Sequence, residues 1–343
     1  MKSFITKIAL LITVFFTLHA ASQTAVQYMD KIGKEFDKIS KETWDYTRAV
    51  AHNKKARLIE NQRREMLNAN RNALTRIKNM NDFKGDVAYR DSTVRYLELS
   101  YNVLNNDYAK IVDMEEISEQ SYDAMEAYMT AQERANEKLE IAFDVAVKGQ
   151  QDFATANNIN LVDKDNKTTE KLEKASEVFK FYNKIYLVFY KPYKQEVYLL
   201  DAQNKEDINA MKQNQEALSS LSKEAKEQLK GIKPYRNNTS LKAACSDVLD
   251  FYIYEADKKV SALIDFYLQK EKFDKLKTAM DKKGKNPSTE DVNEYNAAVN
   301  GFNKASNDFN NINNELNNKR ASVLDNWNTV VSRFLDRNVS NKK

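Results

Sequence analysis

Glycine and proline are almost missing from this chain, with six Gly and three Pro in 343 residues. These residues are the main punctuators of a backbone, so their scarcity leaves few bends and no Gly-rich loop to cradle a phosphate. Gly33 precedes Lys34, but no second Gly stands five residues before it, and no Gly-x-Ser-x-Gly elbow occurs. Cys245 is the only cysteine, which excludes an intramolecular disulfide. Between Ala244 and Val248 on an apolar stripe, it reads as a small buried hydrophobe. Histidine is limited to His19 and His52. His52, beside Asn53 and Lys54, reads as a surface residue, since zinc and iron sites draw on several His or Cys at helical spacing. Acids are plentiful, but spacing along the sequence singles out no acid–base pair, and the adjacent Glu115 and Glu116 diverge on a helix. No catalytic, cofactor-binding or metal-ligating residue is assigned, no cofactor is expected, and the chain reads as a non-enzyme.

Charge of one sign is also lacking. A formal charge of +4 is too balanced for a nucleic-acid binder. One basic stretch exists, Lys54, Lys55, Arg57, Arg63, Arg64, Arg71, Arg76 and Lys78, and one acidic run, Asp113, Glu115, Glu116, Glu119, Asp123 and Glu126. Solvated faces with cross-helix pairs explain both.

What is present begins with the first residues. Lys2 and Lys7 precede an apolar core from Ile8 to Leu18, followed by Ala20, Ala21 and Ser22. That is the pattern of a secretory signal peptide over residues 1–22, and the core is shorter than the ~20 apolar residues of a membrane anchor. The expected location is exported: periplasm, cell surface or extracellular space, not cytoplasm.

Beyond it, apolar residues recur every three or four positions, the helical period. Ile32, Phe36, Ile39, Tyr46 and Val50 form one stripe, resumed by Leu67, Leu74 and Ile77. From Ala51 to Glu65 the stripe fades, which fits a bend or an exposed stretch equally. Turns are expected at Asn79 to Asp86, near 113–119, at Gly231 to Ser240 and at Asp281 to Ser288, where Ser288 and Asp291 resemble a helix start. Pro192 predicts a kink. Residues 157–167 are rich in Asn, Asp and Lys, which places a linker at 161–168 between a half at 23–160 and a half at 169–338. At an offset of 153 to 155, Tyr28, Lys31, Ile32 and Ala49 meet Phe181, Lys184, Ile185 and Ala202, while Leu74 and Ile77 meet Leu229 and Ile232. This fits a diverged duplication, and heptad-rich helices also align by chance. The expected fold is all-α: about six long helices in elongated antiparallel bundles, two spectrin-like or coiled-coil-like halves.

One stretch stands out for its aromatics. Phe179, Phe181, Tyr182, Tyr186, Phe189, Tyr190, Tyr193 and Tyr198 alternate with Lys180, Lys184, Lys191 and Lys194. Tyr182, Tyr186, Tyr190 and Tyr193 share one helical face. A helix apolar on all sides is usually buried; the alternative is a Tyr-rich face that binds a protein or glycan partner or rests on a membrane surface.

The segments Phe181-Tyr182-Asn183-Lys184-Ile185 and Tyr198-Leu199-Leu200-Asp201, in a Lys- and Asn-rich helical chain, resemble a family of predicted surface proteins of spirochaetes and Bacteroidota. The triplet Asp91-Ser92-Thr93 is similar to the O-glycosylation signal of Bacteroidota envelope proteins. The resemblance implies an envelope location and carries over no functional residue. The expected function is a non-enzymatic structural or interaction module, with a protein or glycan partner, no nucleic acid, and a membrane surface not favoured. The alternative is a membrane-acting protein resembling helical pore-formers, for which Ile185 to Tyr190 is the candidate insertion segment.

Overall fold

The structure, a computed structural model, describes residues 20–52, 55–107, 121–161, 167–284 and 286–341. Among these residues the protein is all-α. Nine α-helices are present: α1 (Ala20–Ala51), α2 (Ala56–Lys78), α3 (Ala88–Asn102), α4 (Tyr122–Ala156), α5 (Lys167–Asn204), α6 (Ile208–Gly231), α7 (Ser240–Tyr254), α8 (Val260–Lys283) and α9 (Thr289–Asn338). One π-helical turn follows α3 at Val103–Asp107, and another joins α7 to α8 at Glu255–Lys259. No described helix is long and apolar enough to cross a membrane. Residues 1–19 of the expected signal peptide (1–22) and most of the expected linker, 162–166, lie outside the described residues, as does the expected turn near 113–119.

The expectation of about six helices is corrected to nine because long segments break without Gly or Pro. After α5, Glu206 takes a left-handed φ of 55°. Its N–H then bonds the Gln203 carbonyl and the Asp207 N–H bonds that of Ala202, a Schellman closure. Asp207 at once caps α6 by accepting from the Ala210 N–H at 2.9 Å. α4 ends the same way, with Asn158 at φ 54° and Ile159 bonded to Ala154. The break between α1 and α2 falls at the head of the faded stripe, so the bend, and not an unbroken exposed rod, accounts for it. α5 continues through Pro192. The Ser288 start signal is met in full: Ser288 Oγ accepts from Asp291 N, and Asp291 Oδ2 accepts from Ser288 N.

The chain forms two compact units. One comprises the described residues up to Asn183 and those from Ser332 onward; the other is Lys184–Val331. The division falls inside α5 and α9. In the first unit α1 packs on α2, α2 on α3, and α3 on α4. Ile32, Phe36, Ile39, Tyr46 and Val50 of α1 are all buried, as their spacing requires. Aromatic rings tie the layers together: Phe153 contacts Tyr28, Phe83 and Tyr89, and Tyr96 lies between Phe36 and Phe143. Burying each such side chain contributes about 1.5–3 kcal/mol. Ser40, Thr43 and Thr47, also buried, bond back to carbonyls one turn earlier and so leave no orphan hydroxyl. In the second unit α6 packs on α7 and α8, with Met211, Leu218, Leu241, Val248, Leu249 and Leu263 at the centre.

Part of the succession of elements recurs: a helix, a tight turn, a second helix and a π turn. α2 and α6 start at 56 and 208, α3 and α7 at 88 and 240, and the π turns at 103 and 255, a separation of 152 in every case. Between the paired helices lies the same tight turn. Lys84 and Gly85 have φ of 54° and 85°, Arg236 and Asn237 of 47° and 63°. Positive φ at both central residues is the geometry that favours Asn and Gly. The residue after each pair, Asp86 or Asn238, then accepts from the backbone N–H two residues on. Gly149 of α4 and Gly301 of α9 keep the same separation. The recurring elements are therefore in register at 152, and at 153 for the ends of α1 and α5, Ala51 and Asn204. This corrects the sequence alignment near the turn: Ile77 corresponds to Leu229, and Met80 to Ile232.

Candidate functional site

The aromatic stretch of α5 divides between the units. In the first, Phe179 and Phe181 are buried, Phe181 against Phe334. Tyr182 is half-buried, and burial pushes its hydroxyl well above the usual phenol range. In the second, Tyr190 is only 3% exposed and stacks on Tyr186. Phe189 stacks on Tyr193 and, at 4.6 Å between centroids, on Trp327 of α9. Tyr186 and Tyr193 are half-buried, and Tyr198 is exposed. Ile185, Val188, Phe189 and Tyr190, the core of the candidate insertion segment, are all buried.

Three groups considered for chemistry are tied into packing. Cys245 is buried, and desolvation pushes its thiol up to about 12. His52 is corrected from a surface residue to a packed one: its side chain is 4% exposed, and Nδ1 lies 2.5 Å from Asp336 Oδ1. Nearby, Arg48 donates to the Asn341 carbonyl and pairs with Asp45. The end of α1 thus holds the C-terminal residues, where Phe334, Leu335 and Val339 are buried. Ser92 and Thr93 of the glycosylation-like triplet are buried as well, both donating to the Tyr89 carbonyl, so neither hydroxyl faces solvent.

The second unit holds a cluster that sequence reasoning missed. Glu196 of α5 and Glu255 of the π turn are each 1% exposed, and Arg320 of α9 joins them. Its Nε donates to Glu196 and its Nη2 to Glu255, both at 2.5 Å, while Nη1 reaches Asn317. Desolvation first, then the charge of Glu196, pushes Glu255 up to about 8, with Arg320 opposing. Burial works against the charge of Arg320, but the two carboxylates outweigh it and hold its pKa above the ordinary value. Tyr252 lies beside this cluster with its hydroxyl buried next to Glu196, and burial, then the Glu196 charge, pushes it well above the usual phenol range. At the corresponding places of the first unit stand Thr43 and Val103, uncharged and buried. The three charged residues lie 65 and 124 positions apart, so no local pattern announces them.

The first unit holds an open groove of about 440 Å³ between α1 and the end of α2. Lys31, Lys34, Lys38 and Arg76 stand around it, with Glu35 and Asp37 among them, over Ile77 and Met80. Glu35 is nearly buried, with 11% of its side chain exposed, and takes Lys38 at 2.7 Å and Arg76 Nη1 at 3.0 Å. Burial works against its charge, but these two hydrogen bonds outweigh the penalty and lower its pKa. Part of the basic stretch is paired, within α2 itself as well as across helices. Arg63 and Arg64 meet Glu60, Lys78 meets Glu98, and Arg71 bonds the Tyr101 hydroxyl. Lys54 and the acidic residues Asp113, Glu115, Glu116 and Glu119 lie outside the described residues. Counted along the sequence, Ala20 to Lys78 holds 13 Lys and Arg against 7 Asp and Glu, a net +6, whereas the whole chain carries +4. The excess positive charge thus resides in the α1–α2 segment, an asymmetry that the overall balance hides.

Among the described residues no group of three or more His, Cys, Asp or Glu is placed to hold a metal ion. Comparison of the chain with known protein families, with characterised proteins and with solved structures gives no match.

Proposed function

We propose that this is an exported, non-enzymatic helical interaction module of the cell envelope, built as two bundles from diverged copies of one helical unit and acting through its surface on a protein or glycan partner. The observation that carries this reading is the duplication in register at 152 residues. Repeating a helical unit extends a surface without adding a reactive centre. The placement of the chemically versatile groups supports it: Cys245 is buried, His52 is held on Asp336, and Glu196 and Glu255 are committed to Arg320. Export is supported by the leader pattern at the start of the sequence. The membrane-acting alternative gains no support from an exposed apolar segment, because Ile185, Val188, Phe189 and Tyr190 are buried.

The test joins location to contact. Fractionation and protease shaving of intact cells should find the mature chain outside the cytoplasm. A photo-reactive residue scanned over the exposed helix faces should give crosslinks to one partner from a contiguous patch. Cytoplasmic retention of the full chain, or crosslinks scattered without a patch, would overturn the reading.

A further inference from the structure

The groove of the first unit differs from the surrounding ion-paired surface in its spare cationic capacity. Lys31 and Lys34 are exposed, one helical turn apart, with no ion pair or hydrogen bond to a described residue. Arg76 spends only Nη1 on Glu35, so its Nε and Nη2 edge stays open for a bidentate carboxylate. Glu35 acts as an anchor: nearly buried and held ionised by Lys38 and Arg76, it fixes Arg76 at the rim before any ligand arrives. The floor beneath is apolar, formed by buried Ile77 and half-buried Met80. The volume, about 440 Å³, falls within the range of sites that enclose a small ligand or a few side chains. The second repeat lacks this combination: Lys34, Glu35 and Arg76 correspond to Leu187, Val188 and Gln228, and Val188 is buried.

We propose that the groove between α1 and α2 docks an acidic, amphipathic segment of a partner protein, one apolar side chain resting on Ile77 and Met80 while carboxylates meet Lys31, Lys34 and Arg76. This rests on the interaction-module reading and names the chemistry of its partner. Charge complementarity selects the occupant, since the α1–α2 segment carries net +6. A membrane surface fits less well. Lipid docking wants large apolar side chains projecting at the rim, and the large exposed apolar residue of this segment, Leu58, is not among those lining the groove.

The test uses the full mature chain and a fluorescein-labelled helical peptide of Glu and Leu, with a Gln/Leu peptide of the same pattern and anionic phosphatidylglycerol vesicles as controls. The Glu/Leu peptide is expected to bind with an affinity that falls steeply with salt, and the Gln/Leu peptide at least about tenfold more weakly. Lys31→Glu with Lys34→Glu should weaken Glu/Leu binding about tenfold or more, with helicity unchanged because both side chains are exposed. Lys272→Glu with Lys277→Glu on α8 should leave binding as it is. The proposal is overturned by absence of Glu/Leu binding, by equal binding of the two peptides, by insensitivity to the Lys31 and Lys34 reversals, or by vesicle binding through those same lysines. Crosslinking of a partner at another patch together with a failed peptide assay would remove this groove assignment alone. Cytoplasmic retention would remove the envelope reading and leave the peptide result standing.

Discussion

Arg90 and Lys242 make the same contact in the two repeats: each reaches back across the tight turn to the carbonyl ten residues earlier, Met80 for Arg90 and Ile232 for Lys242. The residues are 152 apart, and so are their acceptors. The same turns stack Lys84 over Phe83 and Arg236 over Tyr235. The duplication thus preserves an arrangement, a cation tying down a left-handed turn, while changing most of the side chains that build it.

The turns give a first prediction. Gly85, at φ 85°, suits its position, whereas Asn237, at φ 63°, tolerates it less well. Gly85→Ala should destabilise the protein by about 1 kcal/mol, and Asn237→Gly should be neutral or stabilise it by up to about 1 kcal/mol. Denaturant midpoints compared at constant m-value check both signs.

Arg320 gives the second. Replacing it by Met takes the cation away from two buried acids that face each other, so a loss of about 3–5 kcal/mol is expected. Combining Arg320→Met with Glu196→Leu and Glu255→Leu should recover most of that loss, because the matching region of the first unit is uncharged. Chemical denaturation of the single and triple variants decides the matter; a single variant as stable as wild type would show that the cluster carries no net weight.

Glu255 adds a pH dependence whose sign follows from its raised pKa. A carboxyl that titrates at about 8 when folded, against 4.5 as its ordinary value, binds its proton more tightly in the folded state. Its contribution is fully present below the unfolded pKa and is lost as pH rises toward 8. Glu255→Gln mimics the protonated form, so its stability relative to wild type should increase from about pH 5 to pH 9. Thermal melts of the pair across that range check it.

Gly149 gives the fourth. A Cβ there would stand 2.3 Å from Ser92 Oγ and 3.1 Å from Ser92 Cβ, so α3 and α4 approach as closely as a bare backbone permits. Gly149→Ala should cost about 1–3 kcal/mol through overpacking. Ser92→Ala removes the nearer contact and should relieve part of the loss in the double variant, visible as a coupling energy in a double-mutant cycle.

Helical stripes were the most legible part of the fold. Val178, Ile185, Met211, Leu218, Leu241 and Val248 are buried where the period of 3.6 puts them. α3 is less legible, because its apolar Val94 and Tyr101 are only half-buried while Tyr89, Ser92, Thr93, Tyr96 and Ser100 are buried. Small hydroxyl residues count as polar in a pattern, yet here Ser92 and Thr93 satisfy themselves on a carbonyl one turn back and pack like Ala or Val. The π turns escaped notice because one extra residue per turn leaves no compositional trace. Three-dimensional juxtaposition accounts for the rest: Arg76 meets Glu35 across 41 positions, and only the helix pairing makes them neighbours at a groove.

The first unit is discontinuous along the chain, for its core includes Phe334, Leu335 and Val339, and its first helix is fastened by Arg48 to Asn341 and by His52 to Asp336. Synthesis runs from the N-terminus, so α1 waits for residues 284 and 293 positions further on before its end is covered. A chain interrupted before Phe334 leaves that hydrophobic seat uncovered, so the first unit cannot complete its core from its N-terminal helices alone.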